Sequence, residues 1–335
     1  MRRVVAVLGL ALAGLLAIAV LAVATERGSV RELRAASRHE PVVGARVRGD
    51  RTRSDGLRVI DATYRSPYGR PMDIKVYAPA RHRGALPFVW RFAPSFWQQA
   101  PRCQPFTRGQ PARWGFVYAC VGVDDRTGWA GDHAFGDPRA LREALRLRAT
   151  VEQLVRARAS EELVIGSSAS SVDALDAVGI EPRRFSAAII FDSPANLAAR
   201  YWDLSSVPRA HTTPEYGGPP TGPRRRSYID RSPIARVRTL ATSPTEFRFY
   251  LSRTDAVACD PQQMPRFLHL LARDRHRAVP VMVGAWQHGT GWTYYAGYEM
   301  QRLGIAPPTV PVAPPEVHRV TASPTSRVGC SSALR

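Results

Sequence analysis

The segment Val164–Leu175, VIGSSASSVDAL, decides how we expect the chain to fold. An apolar strand ends at Gly166, small residues follow, and a helix-like pattern then begins. A strand that turns directly into a helix is the unit of a parallel sheet, and its tight turn exposes a side chain at the carboxyl end of the strand. Residues 166–170 match Gly-x-Ser-x-Gly except at the last position, so Ser168 is predicted at the exposed point. A purely structural turn with a serine capping the helix is the alternative.

Strand and helix patterns alternate on both sides of this segment. Before it, RVIDATYRS and MDIKVYAPA are typical of paired strands, PFVWRFA and FVYACVGV of buried ones, and residues 138–159 of one amphipathic helix. After it, FSAAIIFDS, FRFYLS and VPVMVGAW are strand-like, and PQQMPRFLHLLARD between the last two is helix-like. This alternation predicts an α/β fold with a mostly parallel central sheet covered by helices on both faces.

Two further side chains with catalytic potential follow strands. FRFYLS leads to Asp255, and VPVMVGAW leads to His288. A serine hydroxyl becomes a nucleophile when a base takes its proton and a carboxylate orients that base. The chain order Ser, Asp, His is that of an α/β-hydrolase triad, which predicts Ser168 as nucleophile, His288 as base and Asp255 as acid. Asp260, five residues further along the same loop, is the second candidate for the acid. The alternative to a triad is that Asp255 is an ordinary loop aspartate and His288 a surface histidine.

Three stretches carry a resemblance to a known family. SPYGRPMDIKVYAPA, GSSASSVDALDAVGIEPRRFSAAIIFDSPANL and HGTGWTYYAGYEMQRLG resemble the opening strands, the nucleophile turn and the histidine loop of the esterase D group of α/β-hydrolases. Within that group they look like the secreted antigen 85 mycolyltransferases of actinobacteria. The resemblance spans roughly residues 66 to 304, with gaps. It implies a nucleophile at Ser168, a base at His288, and an acyl-enzyme passed to water or to a sugar hydroxyl.

The chain departs from that family's pattern at three places. Ser170 stands where the family has glycine, and alignment on Trp292 puts His288 two residues earlier than the family histidine. Pro94 stands after the third predicted strand, at the place where the family has a residue whose backbone N–H helps to bind the oxyanion. Proline has no N–H to donate. The oxyanion donors are therefore predicted to be the N–H of Ala169 and one shifted to Ser95.

Aromatic residues flank the predicted site on both sides. They are expected to line an acyl or glycan groove, although packing in the core is the alternative for about half of them. The residues assigned to substrate binding are Phe96, Trp97, Trp286 and Trp292.

The amino terminus carries a targeting signal. Two arginines precede an apolar run over residues 4–24, which suits either a cleaved signal peptide or an N-terminal membrane anchor. In both cases the arginines favour a cytosolic amino terminus and an extracytoplasmic remainder, so the protein is predicted to be secreted or anchored to the outer face of the plasma membrane. We expect residues 1–25 to form this signal and residues 26–55 to form a polar linker. Residues 56–305 are expected to form the hydrolase domain, with an irregular lid at 196–243, and residues 306–335 a proline-rich tail.

The composition of the chain limits which classes of partner and cofactor we expect. The formal charge is +19, and Lys75 is the only lysine among 47 basic residues. Nucleic acid is excluded as a partner because the chain is predicted to be exported and no compact basic and aromatic module is visible. Cys103, Cys120, Cys259 and Cys330 allow three pairings into two disulfides, with a buried thiol as the alternative for Cys120. No metal-ligand spacing is present, and no cofactor is predicted.

The sequence therefore predicts an exported serine esterase or acyltransferase that acts on an ester of the cell envelope. The substrate would be a small-molecule, lipid or glycan ester, and residues 4–24 would contact the membrane if they are not cleaved. Two alternatives stay open: an inactive relative that binds envelope glycan or lipid in its aromatic cleft, and a serine peptidase whose lid limits substrate size.

Overall fold

Ten strands form one mixed sheet in the order β1-β2-β3-β5-β4-β6-β7-β8-β9-β10. The computed structural model describes residues 44–94, 110–123, 136–203, 209, 213, 216–307, 315–323 and 328–330. The chain divides into residues 1–42 and a compact unit over 43–335, to which all the described residues belong. The strands are β1 Ala45–Thr52, β2 Leu57–Arg65, β3 Pro71–Pro79, β4 Leu86–Pro94, β5 Val117–Val123, β6 Ala159–Ser167, β7 Ala187–Phe191, β8 Glu246–Ser252, β9 Val279–Gly284 and β10 Glu316–Val320.

The middle of the sheet is parallel and its edges are antiparallel. The six strands β5, β4, β6, β7, β8 and β9 pair in parallel, while β1, β2, β3 and β10 add on antiparallel. The described α-helices are α1 Gln110–Trp114, α2 Pro138–Arg146, α3 Arg148–Val155, α4 Ala169–Ile180, α5 Leu197–Asp203, α6 Arg224–Asp230, α7 Val237–Thr242, α8 Met264–Arg275 and α9 Trp292–Arg302. Residues 138–159, predicted as one helix, instead contain α2, α3 and the start of β6. Buried Leu147, with φ −69° and ψ −2°, separates the two helices.

Apolar side chains on the two faces of the sheet form two separate core clusters. One face packs against α2, α3, α4, α7 and α8, and the other packs against α1 and α9. Strands β5 and β7 are buried at every position. A strand covered on both faces has no solvent-facing side chain, so these strands are continuous apolar runs in the sequence.

The sheet begins earlier than the sequence predicted. β1 lies inside the segment 26–55, which was expected to be a polar linker, so that boundary is wrong. The strand is exposed along most of its length, and ion pairs across the ladder hold it: Arg58 with Asp50 at 2.6 Å and Arg51 with Asp61 at 3.0 Å. An edge strand that is exposed on both faces needs no run of buried apolar residues, so hydropathy did not reveal it.

The carboxyl-terminal tail also belongs to the sheet. β10 pairs antiparallel with β9, and a disulfide joins Cys330 to Cys259 in the loop after β8. Cys120 is disulfide-bonded as well, so the buried-thiol alternative is wrong for that residue. Residues 306–335 are therefore attached to the domain at both a strand and a covalent link.

The segment 196–243 is more regular than expected. Its described part contains α5, α6, α7 and a 3₁₀ turn at Pro233–Arg236. Tyr201, Tyr216 and Tyr228 pack with Ala169 and Val172 at the start of α4, and the rings of Tyr216 and Tyr228 stack at 3.8 Å. The segment therefore lies against the amino-terminal end of the helix that follows Ser168.

Residues 4–24 lie outside the described residues. In the portion of the chain that the structure describes, no helix combines the length and apolar character needed to cross a bilayer.

Candidate active site

Ser168 lies at the sharp turn between β6 and α4. Its backbone has φ 52° and ψ −124°, a conformation that non-glycine residues rarely adopt. The Ser168 N–H donates to Phe191 O at the end of β7, which fixes the turn against the neighbouring strand. Strained backbone of this kind persists where the surroundings enforce it, and it is concentrated at functional sites.

The glycine and the serine that bracket the turn explain its sequence. A Cβ on Gly166 would lie 2.5 Å from Ser170 O, so only glycine allows the strand and the helix to approach this closely. Ser170, which replaces the usual last glycine, is 2% exposed. Its hydroxyl accepts from Ser167 N and donates to Ser167 O, both at 2.9 Å. The departure from the family pattern is therefore accommodated by two hydrogen bonds.

The structure brings Ser168, His288 and Asp255 together. Ser168 Oγ lies 2.7 Å from His288 Nε2, and His288 Nδ1 lies 2.5 Å from Asp255 Oδ2. Because a carboxylate only accepts hydrogen bonds, Nδ1 carries the proton and Nε2 is free to accept from the serine hydroxyl. The arrangement can deprotonate Ser168 and hold the resulting imidazolium against a carboxylate.

Asp255 is held rigidly in the loop after β8. It is 4% exposed, and its second oxygen accepts from Val257 N at 2.8 Å and Ala258 N at 3.2 Å. The second candidate acid, Asp260, accepts from Gln262 N within its own turn and makes no described contact with His288. The structure therefore places Asp255, and not Asp260, behind the histidine.

A second buried carboxylate, that of Asp192, was missed by the sequence reasoning. It follows β7 directly, with φ 46°, and is fully buried. Its oxygens accept from Ser252 N at 2.8 Å, Trp286 Nε1 at 2.7 Å and Gly289 N at 3.0 Å. The available signal was an acidic residue at the carboxyl end of the strand between those that lead to Ser168 and Asp255.

Electrostatics favour the protonated form of His288. Burial lowers its pKa, but the hydrogen bond and charge of Asp255 and the charge of Asp192 outweigh burial, so the pKa lies above its usual 6.5. The positive charge of Arg200 opposes this rise. Burial, together with the charge of Asp255, raises the pKa of Asp192 to about 6. The site therefore concentrates two carboxylates around one imidazole.

One of the two predicted oxyanion donors lies among the described residues. Ala169 is the first residue of α4, where a helix N–H has no acceptor inside the helix. Its N–H is adjacent to Ser168 and available to an oxyanion. Ser95 lies outside the described residues, as do Phe96 and Trp97.

The two remaining residues predicted to bind substrate, Trp286 and Trp292, have different surroundings. Trp286 is only 8% exposed and its indole N–H donates to Asp192, and its assignment to substrate binding stays a prediction. Trp292 is half-buried at the start of α9, and the guanidinium carbon of Arg91 lies 5.0 Å from its ring centre. In the described part of the chain, no cluster of three or more His, Cys, Asp or Glu side chains is arranged to hold a metal ion.

Comparison with solved structures identifies the fold. S-formylglutathione hydrolase from Agrobacterium tumefaciens superposes with a TM-score of 0.59 at 14% identity, covering 78% of this chain and 98% of that one. Acetyl xylan esterase from Paenibacillus sp. R4 gives 0.56 at 17% identity, covering 82% and 92%. A puromycin-hydrolyzing peptidase from Mycobacterium tuberculosis gives 0.56 at 18% identity, covering 76% and 41%. The chain has the α/β-hydrolase fold, as the sequence predicted.

Sequence comparison adds nothing finer. No protein-family model matches the chain, and no curated protein matches it. The resemblance to the esterase D group and to the antigen 85 mycolyltransferases stays a prediction.

Proposed function

We propose that this protein is an exported serine hydrolase or acyltransferase that cleaves a carboxylic ester through an acyl-enzyme. The observation that carries the proposal is the continuous chain of contacts from Ser168 through His288 to Asp255, at 2.7 and 2.5 Å. Both distances are short enough for hydrogen bonds, so the three side chains are connected before any substrate binds.

The reaction follows from this geometry. Ser168 Oγ forms a bond to the ester carbonyl carbon while its proton passes to His288 Nε2, and the Ala169 N–H donates to the developing oxyanion. The carbon–oxygen bond to the leaving alcohol then breaks, and His288 returns the proton to that alkoxide. Water or a second hydroxyl, deprotonated by the same histidine, then forms a bond to the acyl carbon. The bond from that carbon to Ser168 Oγ breaks, and His288 returns the proton to Ser168.

Two of the fold neighbours support an ester as the substrate. One is described as an S-formylglutathione hydrolase and another as an acetyl xylan esterase. Because a peptidase is also among the neighbours, a peptide bond is the alternative substrate, with weaker support.

Export is supported by the amino-terminal segment and by the disulfides. Residues 1–25 have the pattern of a signal peptide or anchor, with paired arginines before an apolar run. The Cys259–Cys330 disulfide and the disulfide-bonded state of Cys120 suit an oxidising compartment. An ester of an envelope lipid or glycan is the substrate class that this location favours.

Labelling with a fluorophosphonate probe tests the proposal, because the probe reacts only with activated serines. We expect wild type to be labelled, Ser168→Ala to lose the label, and His288→Ala to lose about 10³-fold or more in rate. Ser186→Ala is the matched control, since Ser186 is an exposed serine just before β7, at the opposite end of that strand from Asp192, and its hydroxyl donates to Glu161. Mass spectrometry of the labelled peptide then identifies the modified serine.

The opposite result has a defined meaning. The enzyme proposal is refuted if folded wild type does not react with the probe. It is also refuted if Ser168→Ala is labelled as strongly as wild type. The alternative is then an inactive protein that binds envelope glycan or lipid, and the departures at Pro94 and His288 would be its explanation.

A further inference from the structure

Asp192 connects three parts of the site that come from different strands. Ser252 N belongs to the end of β8, the strand that leads to Asp255, while Trp286 Nε1 and Gly289 N lie on either side of His288. Asp192 itself ends β7, the neighbour of the nucleophile strand β6. A single carboxylate therefore holds the acid strand and the residues 285–291, here called the histidine loop, in one position.

The contacts favour the ionised form of Asp192. All three partners are N–H donors, and no described contact offers an acceptor to a proton on this carboxyl group. Asp192 is fully buried, and among the residues that the structure describes no lysine or arginine lies within ion-pair distance of it. The positive charge that would compensate a buried carboxylate here is the imidazolium that forms on His288 during the reaction.

We propose that Asp192 is a positioning residue of the active site, which fixes the histidine loop against the acid strand and supplies a second negative charge for the His288 imidazolium. This inference rests on the proposed hydrolase function. Asp255 orients the imidazole through Nδ1, whereas Asp192 holds the Trp286 indole and the Gly289 backbone N–H, which come before and after His288 in the sequence.

The charged groups that face His288 predict the direction of the pH effect. They are Asp255 from the loop after β8, Asp192 from the end of β7, and Arg200 from α5. The two carboxylates raise the pKa of His288 and Arg200 lowers it. Because only the neutral imidazole accepts the serine proton, the reaction slows as the pH falls through this pKa.

The experiment measures the fluorophosphonate labelling rate of the full-length protein from pH 4 to 9. Asp192→Asn removes the charge, so the acid midpoint should fall by about half a unit or more. The plateau rate should also drop about tenfold, because an amide cannot accept all three N–H groups. Asparagine tolerates the left-handed backbone at this position, which favours folding of the variant. Arg200→Gln is the control of opposite sign, and its midpoint should rise.

Each outcome decides a separate question. No labelling of folded wild type refutes the hydrolase function itself. Wild-type labelling with the same midpoint in Asp192→Asn refutes the electrostatic role of Asp192, even if the plateau falls, since a purely structural defect lowers the rate without moving the midpoint.

Trp286→Phe keeps the proposal testable if Asp192→Asn does not fold. It preserves the carboxylate but removes one of its three donors. We expect its plateau rate to fall about threefold or more, and a plateau equal to that of wild type would refute the positioning role.

Discussion

Replacing Ser170 by glycine restores the usual Gly-x-Ser-x-Gly pattern, yet the structure predicts a loss of stability. The hydroxyl of Ser170 makes two hydrogen bonds to the backbone of Ser167, both at 2.9 Å, in a fully enclosed position. Each is worth about 1 kcal/mol net. Glycine in place of serine near the start of α4 adds about 0.5 kcal/mol of lost helix propensity. Ser170→Gly should therefore lower the free energy of unfolding by about 2.5 kcal/mol.

Urea unfolding followed by circular dichroism measures this difference. Ser227→Gly is the matched control, because Ser227 is an exposed serine in α6 and should lose only the propensity term of about 0.5 kcal/mol. If Ser170→Gly is as stable as Ser227→Gly, the two hydrogen bonds contribute nothing and the explanation of this departure from the motif is wrong.

Two further predictions concern stability. Cys330→Ser removes the disulfide to Cys259, which joins residues 71 positions apart. The unfolded chain gains conformational entropy, so the free energy of unfolding should fall by about 4 kcal/mol. Urea titration of oxidised wild type and of the variant measures this difference, and equal midpoints would contradict it. Asp173 in α4 is fully buried with one oxygen unpartnered, and burial raises its pKa well above the usual value. The folded state thus holds this proton more tightly than the unfolded state, so the contribution of Asp173 to the stability of wild type should fall as the pH rises above about 4. Asp173→Asn removes that loss, so its stability relative to wild type should increase between pH 5 and 8, and a pH-independent difference would exclude Asp173 as the cause.

The central strands and the catalytic order were predictable because local chemistry encodes them. Buried parallel strands such as β7 read as apolar runs, and a glycine–serine turn after a strand indicates an exposed serine. The prediction that Ser168, Asp255 and His288 follow strand ends needed only these patterns and the order of the residues. The α/β-hydrolase fold followed from the same alternation and is confirmed by the solved structures it resembles.

The edge strands were not predictable from hydropathy. β1 is exposed along most of its length and is held by ion pairs with β2, such as Arg58 with Asp50. Its partners lie in another strand, so no local pattern in residues 45–52 distinguishes this strand from a linker.

Sequence alone determined which residues had the chemistry for a serine hydrolase site and where in the chain each strand leads to one of them. Only the tertiary structure decided that His288 meets both Ser168 and Asp255, that the Trp286 indole N–H donates to Asp192, and that Asp192 holds the histidine loop. The physical reason is that these contacts join residues from about 33 to 120 positions apart. Hydrogen bonds across such separations depend on strand order and loop geometry, which no single segment specifies.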